Sequence, residues 1–200
     1  MALARSGRTV WSVHVTSLAA NQTPESYASA LSSRGFDLEE RIGRGAFGTV
    51  YKANQRSLGR PVAVKFFDSP FMQQPINRKR FEREALLLAR IQHPSVPYVI
   101  TQGTLKDESN TPYSVMHFIP GEGLDRVVQR DGRFQANRAV DVMLDVLDAL
   151  ETVHERGIVH RDVKPNNIMI EKARTWLIDF SIGIAIAAIP GLSRPTATGS

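Results

Sequence analysis

The chain contains the segment His160-Arg161-Asp162-Val163-Lys164-Pro165-Asn166-Asn167. An aspartate is followed two residues later by a lysine and five residues later by an asparagine. Phosphoryl transfer needs a group that positions the acceptor hydroxyl, a cation on the transferred phosphate and an oxygen ligand for a hard metal ion. Each residue alone would be an ordinary turn or cap residue. In this order, within one loop, they indicate phosphoryl-transfer chemistry.

A second acidic segment, Asp179-Phe180-Ser181, begins twelve residues after Asn167. The apolar pair Leu177-Ile178 precedes it, as expected for a short buried strand that ends at the aspartate. The Asp179 carboxylate supplies a second hard oxygen ligand of the kind that Mg²⁺ prefers. The two segments together predict a metal-assisted site in which Asn167 and Asp179 are the metal ligands.

Upstream, the segment Gly43-Arg44-Gly45-Ala46-Phe47-Gly48 has the spacing G-x-G-x-x-G. Alone it is weak evidence, because glycines serve any tight hairpin. A Rossmann dinucleotide site needs a helix directly after the glycines, whereas Thr49-Val50-Tyr51 is strand-like. A glycine-rich hairpin lets backbone N–H groups approach phosphates with no side chain in the way. Val50 completes the longer pattern G-x-G-x-x-G-x-V.

Lys65 ends the apolar run Val62-Ala63-Val64-Lys65. A lysine on an edge strand would point to solvent, but a buried ammonium group needs a partner. Glu84 lies on the same helical face as Phe81 and Leu88, so its carboxylate needs a partner as well. The sequence therefore predicts a Lys65–Glu84 ion pair, with Lys65 beside the α and β phosphates of a nucleotide.

The remaining pattern predicts strands in the first half and helices at the start of the second. Strands are predicted over 36–42, 49–53, 61–67, 98–104, 112–119, 168–170 and 176–178. Helices are predicted over 76–91 and 137–154, and a short helix or turn over 121–130. This distribution predicts two lobes with a cleft between them.

Composition sets the remaining limits on the protein's class. The 200 residues are 42% hydrophobic and 22% charged, with a formal net charge of +5 and no cysteine. These values exclude a fully disordered chain, a disulfide scaffold, a thiolate metal site and a thiol nucleophile. The mild positive charge suits anionic ligands such as nucleotides but is too small to indicate nucleic-acid binding. We expect no membrane span, since no run approaches the roughly 20 apolar residues required.

The ordered set of motifs over Phe36–Ser200 resembles the eukaryotic-type protein kinases, which also occur in bacteria. Lys164 places the resemblance in the serine/threonine branch of that family. The resemblance implies an α+β fold with two lobes. The N-lobe is β-rich and contains one key helix, and the C-lobe is helical and partial. The N-lobe covers about 36–119 and the C-lobe about 120–200. Residues 1–35 are predicted to be a flexible N-terminal extension.

The resemblance also implies a role for each matching residue. The residues expected to bind ATP are Ile42, Gly43, Arg44, Gly45, Ala46, Phe47, Gly48, Val50, Ala63, Lys65, Met116, His117, Ile119 and Met169. The catalytic residues are Asp162, Lys164, Lys65 and Glu84, and the Mg²⁺ ligands are Asn167 and Asp179. A stacked spine that links the lobes is formed by Leu88, Val99, His160 and Phe180.

Two features depart from the family pattern. Ser181 stands where the family has glycine, which predicts a less mobile switch rather than an inactive site. The chain also ends within the activation loop, where the family continues into further helices. We therefore expect the helix over 137–154 to expose an apolar face.

The expected activity is ATP- and Mg²⁺-dependent transfer to serine or threonine hydroxyls of protein substrates in the cytoplasm. Thr196 and Thr198 are candidate sites of self-phosphorylation, with Arg161 as the residue that receives the phosphate. One alternative is a non-catalytic kinase-like fragment or pseudokinase that binds nucleotide and regulates a partner. Another is a small-molecule kinase, which the Lys164-Pro165 pair and the glycine-rich hairpin disfavour.

Overall fold

The computed structural model describes residues 11–12, 24–45, 47–106 and 110–180. The first part contains β1 (Trp11–Ser12), α1 (Pro24–Ser32), β2 (Phe36–Gly45), β3 (Gly48–Gln55), β4 (Arg60–Phe66), α2 (Pro75–Leu88), β5 (Val99–Thr104) and β6 (Pro112–His117). The second contains β7 (Glu122–Gly123), α3 (Leu124–Asp131), α4 (Ala136–Glu155), β8 (Ile168–Glu171) and β9 (Arg174–Leu177). Short 3₁₀ turns cover Pro70–Gln73 and Pro165–Asn167.

The upper sheet has the order β1-β2-β3-β4-β6-β5. Strands β2 to β6 pair in antiparallel fashion, and β1 adds two residues parallel to β2. In β4 every residue from Val62 to Phe66 is buried, because the strand is central and covered on both faces. The predicted strands and the helix over 76–91 are all present, with ends shifted by a few residues.

The outer face of this sheet is covered by α1, a helix that we did not predict. Tyr27 and Leu31, one helical turn apart, are almost fully buried against Val62, Val64 and Phe66. Residues 24–32 thus pack on the sheet although they lie in the segment expected to be a flexible extension. The proposed domain boundary at residue 35 stays a prediction.

The lower part is built around α4 and the sheet β7-β8-β9. The buried face of α4 consists of Val142, Val146, Ala149 and Val153, which pack with Ile168 of β8, Leu177 of β9 and neighbouring apolar residues. The Leu177 amide donates a hydrogen bond to the Ser95 carbonyl oxygen at 2.8 Å. This bond connects the lower sheet to the loop between α2 and β5.

A second apolar face of α4 is exposed. Val140, Met143, Leu144 and Leu147 are each 49–59% exposed. Their spacing of three, one and three residues places them on one side of the helix. The exposed apolar face expected for this helix is therefore present among the described residues.

Within the parts of the chain that the structure describes, none of the helices combines the length and the apolar character that a membrane span requires.

We predict that Gly48→Ala destabilises the fold. Gly48 has φ +152°, and a Cβ there would overlap the carbonyl oxygen of Phe66 on the adjacent strand β4. Because that oxygen belongs to a central strand, the sheet must distort, at a cost of about 2 kcal/mol or more. Chemical unfolding monitored by circular dichroism measures the loss.

The matched control is Gly45→Ala. Gly45 is the β2 residue paired with Gly48, and a Cβ at Gly45 would meet nothing within 4 Å. We expect a change below about 0.5 kcal/mol for this control. Equal losses in the two variants would refute the steric explanation.

Candidate active site

The loop after α4 brings Asp162, Lys164 and Asn167 together. The Asn167 side-chain amide donates to the backbone oxygen of Asp162 at 2.8 Å and to its Oδ2 at 2.9 Å. The Lys164 Nζ lies 2.7 Å from the same Oδ2. Asn167 is buried, whereas the Asp162 and Lys164 side chains are each 38% exposed. The carboxylate is thus held from two sides while it remains accessible to a substrate.

The His160 side chain connects this loop to the end of β9 through two hydrogen-bond contacts. Its Nε2 lies 2.9 Å from the Ile178 carbonyl oxygen, and the Asp162 amide donates to its Nδ1 at 3.3 Å. One neutral tautomer, protonated at Nε2, satisfies both contacts. Burial lowers the pKa of the imidazole below its ordinary value of 6.5, against the opposing effect of the bond to Ile178.

Lys65 is buried at the end of β4, and its Nζ forms an ion pair with Asp179 Oδ1. The ammonium group also lies 5.3 Å from the centre of the Phe67 ring. Asp179 has φ +56°, in the left-handed region that aspartate enters more readily than most residues. The partner predicted for Lys65 was Glu84, which lies on α2 but whose side chain is outside the described residues. The Lys65–Glu84 pair therefore stays a prediction.

A cavity of about 760 Å³, open to solvent, lies beside this ion pair. Its mostly apolar lining with a few polar groups is typical of small-molecule sites. The predicted nucleotide-binding residues that line it are Val50, Ala63, Lys65, Met116 and His117. Ile42 packs against Ala63, and Ile119 and Met169 pack against Ile178, next to the lining.

The glycine-rich segment joins β2 to β3 at the end of the sheet. Gly43 pairs with Val50, and Gly45 pairs with Gly48. Arg44 is exposed and Phe47 lies in the turn, whereas Ala46 is outside the described residues. The segment is a hairpin, as predicted, with no helix after its last glycine.

Behind the cavity, β6 ends at His117. The imidazole stacks on the Tyr98 ring at 4.9 Å and meets the Trp176 ring edge-on at 5.1 Å. Its Nδ1 has no hydrogen-bond partner in the described residues, and burial is the main reason that its pKa lies below the ordinary value. This aromatic group joins the upper sheet to β9, and the sequence analysis did not find it because its members are far apart in the chain.

Four residues of the predicted spine also come together. The His160 and Phe180 rings are 4.7 Å apart, and Phe180 lines the cavity with Leu88 and Val99. In contrast, Ser181, Thr196 and Thr198 lie outside the described residues.

The oxygen atoms of Asn167 and Asp179 suit a divalent cation whose other ligands are mostly phosphate oxygens. In the bonds that the structure describes, Asn167 uses its amide nitrogen and keeps its Oδ1 as an acceptor. The Ile178 amide donates to the Asn167 backbone oxygen at 2.8 Å, which brings the neighbouring Asp179 close to Asn167. One amide and one carboxylate match the few protein ligands that Mg²⁺ takes beside substrate phosphates.

A family model described as the protein kinase domain matches residues 36–198. The chain belongs to the protein kinase family. The match covers β2 to β9 and leaves α1 of this kinase outside. It confirms the resemblance on which the predicted two-lobe fold was based.

Two curated relatives of the chain are bacterial proteins. The probable serine/threonine-protein kinase PknB of Corynebacterium glutamicum is 38% identical over 153 residues, which are 76% of this chain and 24% of that protein. The serine/threonine-protein kinase PknA of Mycobacterium tuberculosis is 38% identical over 163 residues, 80% of this chain and 38% of that protein. The chain thus spans well under half the length of these relatives.

Solved structures agree on the fold. The kinase domain of M. tuberculosis PknI superposes with a TM-score of 0.65 at 27% identity, covering 75% of this chain and 59% of that one. Rad53 1–466 in complex with AMP-PNP gives a TM-score of 0.65 at 29% identity, covering 76% of this chain and 39% of that one. The predicted α+β kinase fold is confirmed.

We predict that acid weakens the fold through His160. Because its pKa is lowered in the folded state, the unfolded chain takes up the proton first as the pH falls below 6.5. Stability is then lost until the pH reaches the folded-state pKa, at no more than about 1.4 kcal/mol per pH unit for this group. His117, whose pKa is also lowered, acts in the same direction.

Urea unfolding between pH 5 and 8 measures this slope. His160→Phe should unfold more easily at pH 8, where the Ile178 oxygen loses its donor, and should show a shallower pH dependence. His154→Gln, at an exposed histidine of α4, is the matched control. Identical slopes in wild type and His160→Phe would contradict the assignment.

Proposed function

We propose that the chain transfers the γ-phosphoryl group of ATP, in the presence of Mg²⁺, to serine or threonine hydroxyls of protein substrates. The observation that carries the proposal is the convergence of Asp162, Lys164 and Asn167 in one hydrogen-bonded loop. The Lys65–Asp179 ion pair lies beside the adjoining cavity. The names of the curated relatives, which are serine/threonine-protein kinases, support the class of acceptor.

Each loop residue has a distinct task in this proposal. The Asp162 carboxylate accepts a hydrogen bond from the substrate hydroxyl and positions its oxygen toward the phosphate. Lys164, already 2.7 Å from that carboxylate, places a positive charge where the transferred phosphate develops negative charge. Asn167 holds the Asp162 carboxylate in orientation through its amide nitrogen.

The metal ion supplies charge neutralisation along the phosphates when it is bound. Asn167 Oδ1 and the Asp179 carboxylate are the residues that would hold it. Lys65 would then form its ion pair with Glu84 of α2 instead of with Asp179. The Asp179 carboxylate could therefore bind the metal ion. Lys65 would then lie beside the α and β phosphates.

The nucleotide occupies the cavity and the space under the glycine-rich hairpin. Gly43, Gly45 and Gly48 present backbone amides to the phosphates. The adenine ring fits between the apolar side chains of Ile42, Val50, Ala63 and Met169, with Met116 at its back. Its polar edge meets the His117 carbonyl group and the Ile119 amide. We further propose that the kinase acts in the cytoplasm, where ATP is available, and that Thr196 or Thr198 is a self-phosphorylation site.

The test is phosphate transfer from γ-labelled ATP with Mg²⁺ to a generic basic protein and to the chain itself. Asp162→Asn keeps the shape of the loop but removes the acceptor charge, so we expect at least a hundredfold loss of rate. Nucleotide affinity, measured by calorimetry, should change less than threefold.

The matched control is Asp141→Asn, the same substitution at an exposed position of α4. It should retain full transfer. Nucleotide binding without transfer in the wild-type chain would contradict the proposal and favour the alternative, a nucleotide-binding regulatory module. Transfer to small alcohols in preference to proteins would point to a small-molecule kinase.

A further inference from the structure

Helix α1 lies outside the residues that match the family model, yet it is part of the upper core. The Tyr27 ring stacks on the Phe66 ring at 4.2 Å with an interplanar angle of 16°. Tyr27 is 2% exposed and Leu31 is fully buried. The helix therefore belongs to the folded unit rather than to a loose leader.

The register of β3 and β4 relates this helix to the nucleotide site. Phe66 pairs with Thr49, and the preceding Lys65 pairs with Val50. Since side chains alternate between the faces of a sheet, Phe66 and Thr49 lie on the face covered by α1. Lys65 and Val50 lie on the opposite face and line the cavity. The β4 residues that pack with α1, which are Val62, Val64 and Phe66, each neighbour in sequence a residue that lines the cavity, either Ala63 or Lys65.

A shared carboxylate ties the helix to the glycine-rich hairpin. The Thr49 hydroxyl donates to Asp68 Oδ2 at 2.9 Å, and the Tyr27 hydroxyl donates to the same oxygen at 3.5 Å. Thr49 directly follows Gly48, the last glycine of the hairpin. Asp68 is partly buried, and burial raises its pKa, which is the expected effect of an apolar surrounding on a carboxyl group.

We propose that α1 is a positioning element of the nucleotide site, with Tyr27 and Asp68 as positioning residues that hold Thr49 and thereby the glycine-rich hairpin over the phosphates. The inference rests on the proposed function. Residues 24–32 then set nucleotide affinity from the face of the sheet opposite the nucleotide. Tyr27, Thr49 and Asp68 are not among the described residues that line the cavity, so their effect is on the geometry of the hairpin backbone.

The contacts of α1 can be separated experimentally into packing and positioning. Tyr27→Phe keeps the ring stacked on Phe66 and removes only the hydroxyl. Thr49→Val keeps the shape of the β-branched side chain and removes the donor to Asp68. The matched control is Tyr51→Phe, because the Tyr51 ring also contacts Phe66, at 5.7 Å, and its hydroxyl makes no hydrogen bond among the described residues.

The measurements are the dissociation constant for Mg–ATP by calorimetry, KM for ATP and kcat, and thermal unfolding of the full chain. A hydrogen bond of ordinary net strength corresponds to about a three- to tenfold change in affinity. We expect Thr49→Val to raise the dissociation constant and KM by that factor, with kcat altered less than twofold. Tyr27→Phe removes a longer contact of 3.5 Å and should raise both constants by a smaller factor of about two to three. Tyr51→Phe should leave all three within twofold of wild type.

Several outcomes would overturn the inference. One is a fall in melting temperature for Tyr27→Phe and Thr49→Val with nucleotide affinity unchanged, since that shows a packing role alone. Another is an equal loss of affinity in Tyr51→Phe. A wild-type chain that binds nucleotide but transfers no phosphate contradicts the proposed function, while the dissociation constants still decide this inference. A chain that binds no nucleotide overturns both.

Discussion

The structure depends on the placement of a buried ammonium group. Lys65 is the penultimate residue of the central strand β4, between the buried Val64 and Phe66, and an unpaired charge there would cost several kcal/mol. Its partner in this structure, Asp179, comes from the lower part of the chain, more than a hundred residues later. One charge pair, between a buried ammonium group and a partly exposed carboxylate, therefore links the two lobes beside the cavity.

The position of Asp179 is set by the residue before it. The Ile178 carbonyl accepts from His160, and the Ile178 amide donates to the Asn167 backbone oxygen. Both backbone polar groups of Ile178 thus bind the segment that carries Asp162. Lys65, through its ion pair with Asp179, is therefore connected to the Asp162 loop by one short stretch of backbone, which fixes the relation between these two groups.

The motifs were readable because each combines residues close together in the chain with a distinctive spacing, and the alternation of strands and helices followed from hydrophobic periodicity. What was missed depends on distant contacts. Helix α1 was overlooked although Pro24 and Glu25 are good first-turn residues and Tyr27 and Leu31 have helical spacing. The helix is stabilised by packing against Phe66, a contact between residues far apart in the chain that no local sequence pattern reveals. Likewise, Lys65 needed a carboxylate, but whether that is Glu84 or Asp179 depends on how the lobes close.

The packing of α1 has a consequence for how the domain is delimited. A recombinant chain begun at Phe36, the first residue of the family match, would uncover Val62, Val64 and Phe66 to water. Such a contiguous apolar face on an otherwise well-ordered sheet invites self-association. For this protein we therefore expect the folded unit to include α1 from Pro24, about a dozen residues upstream of the first residue of the family match.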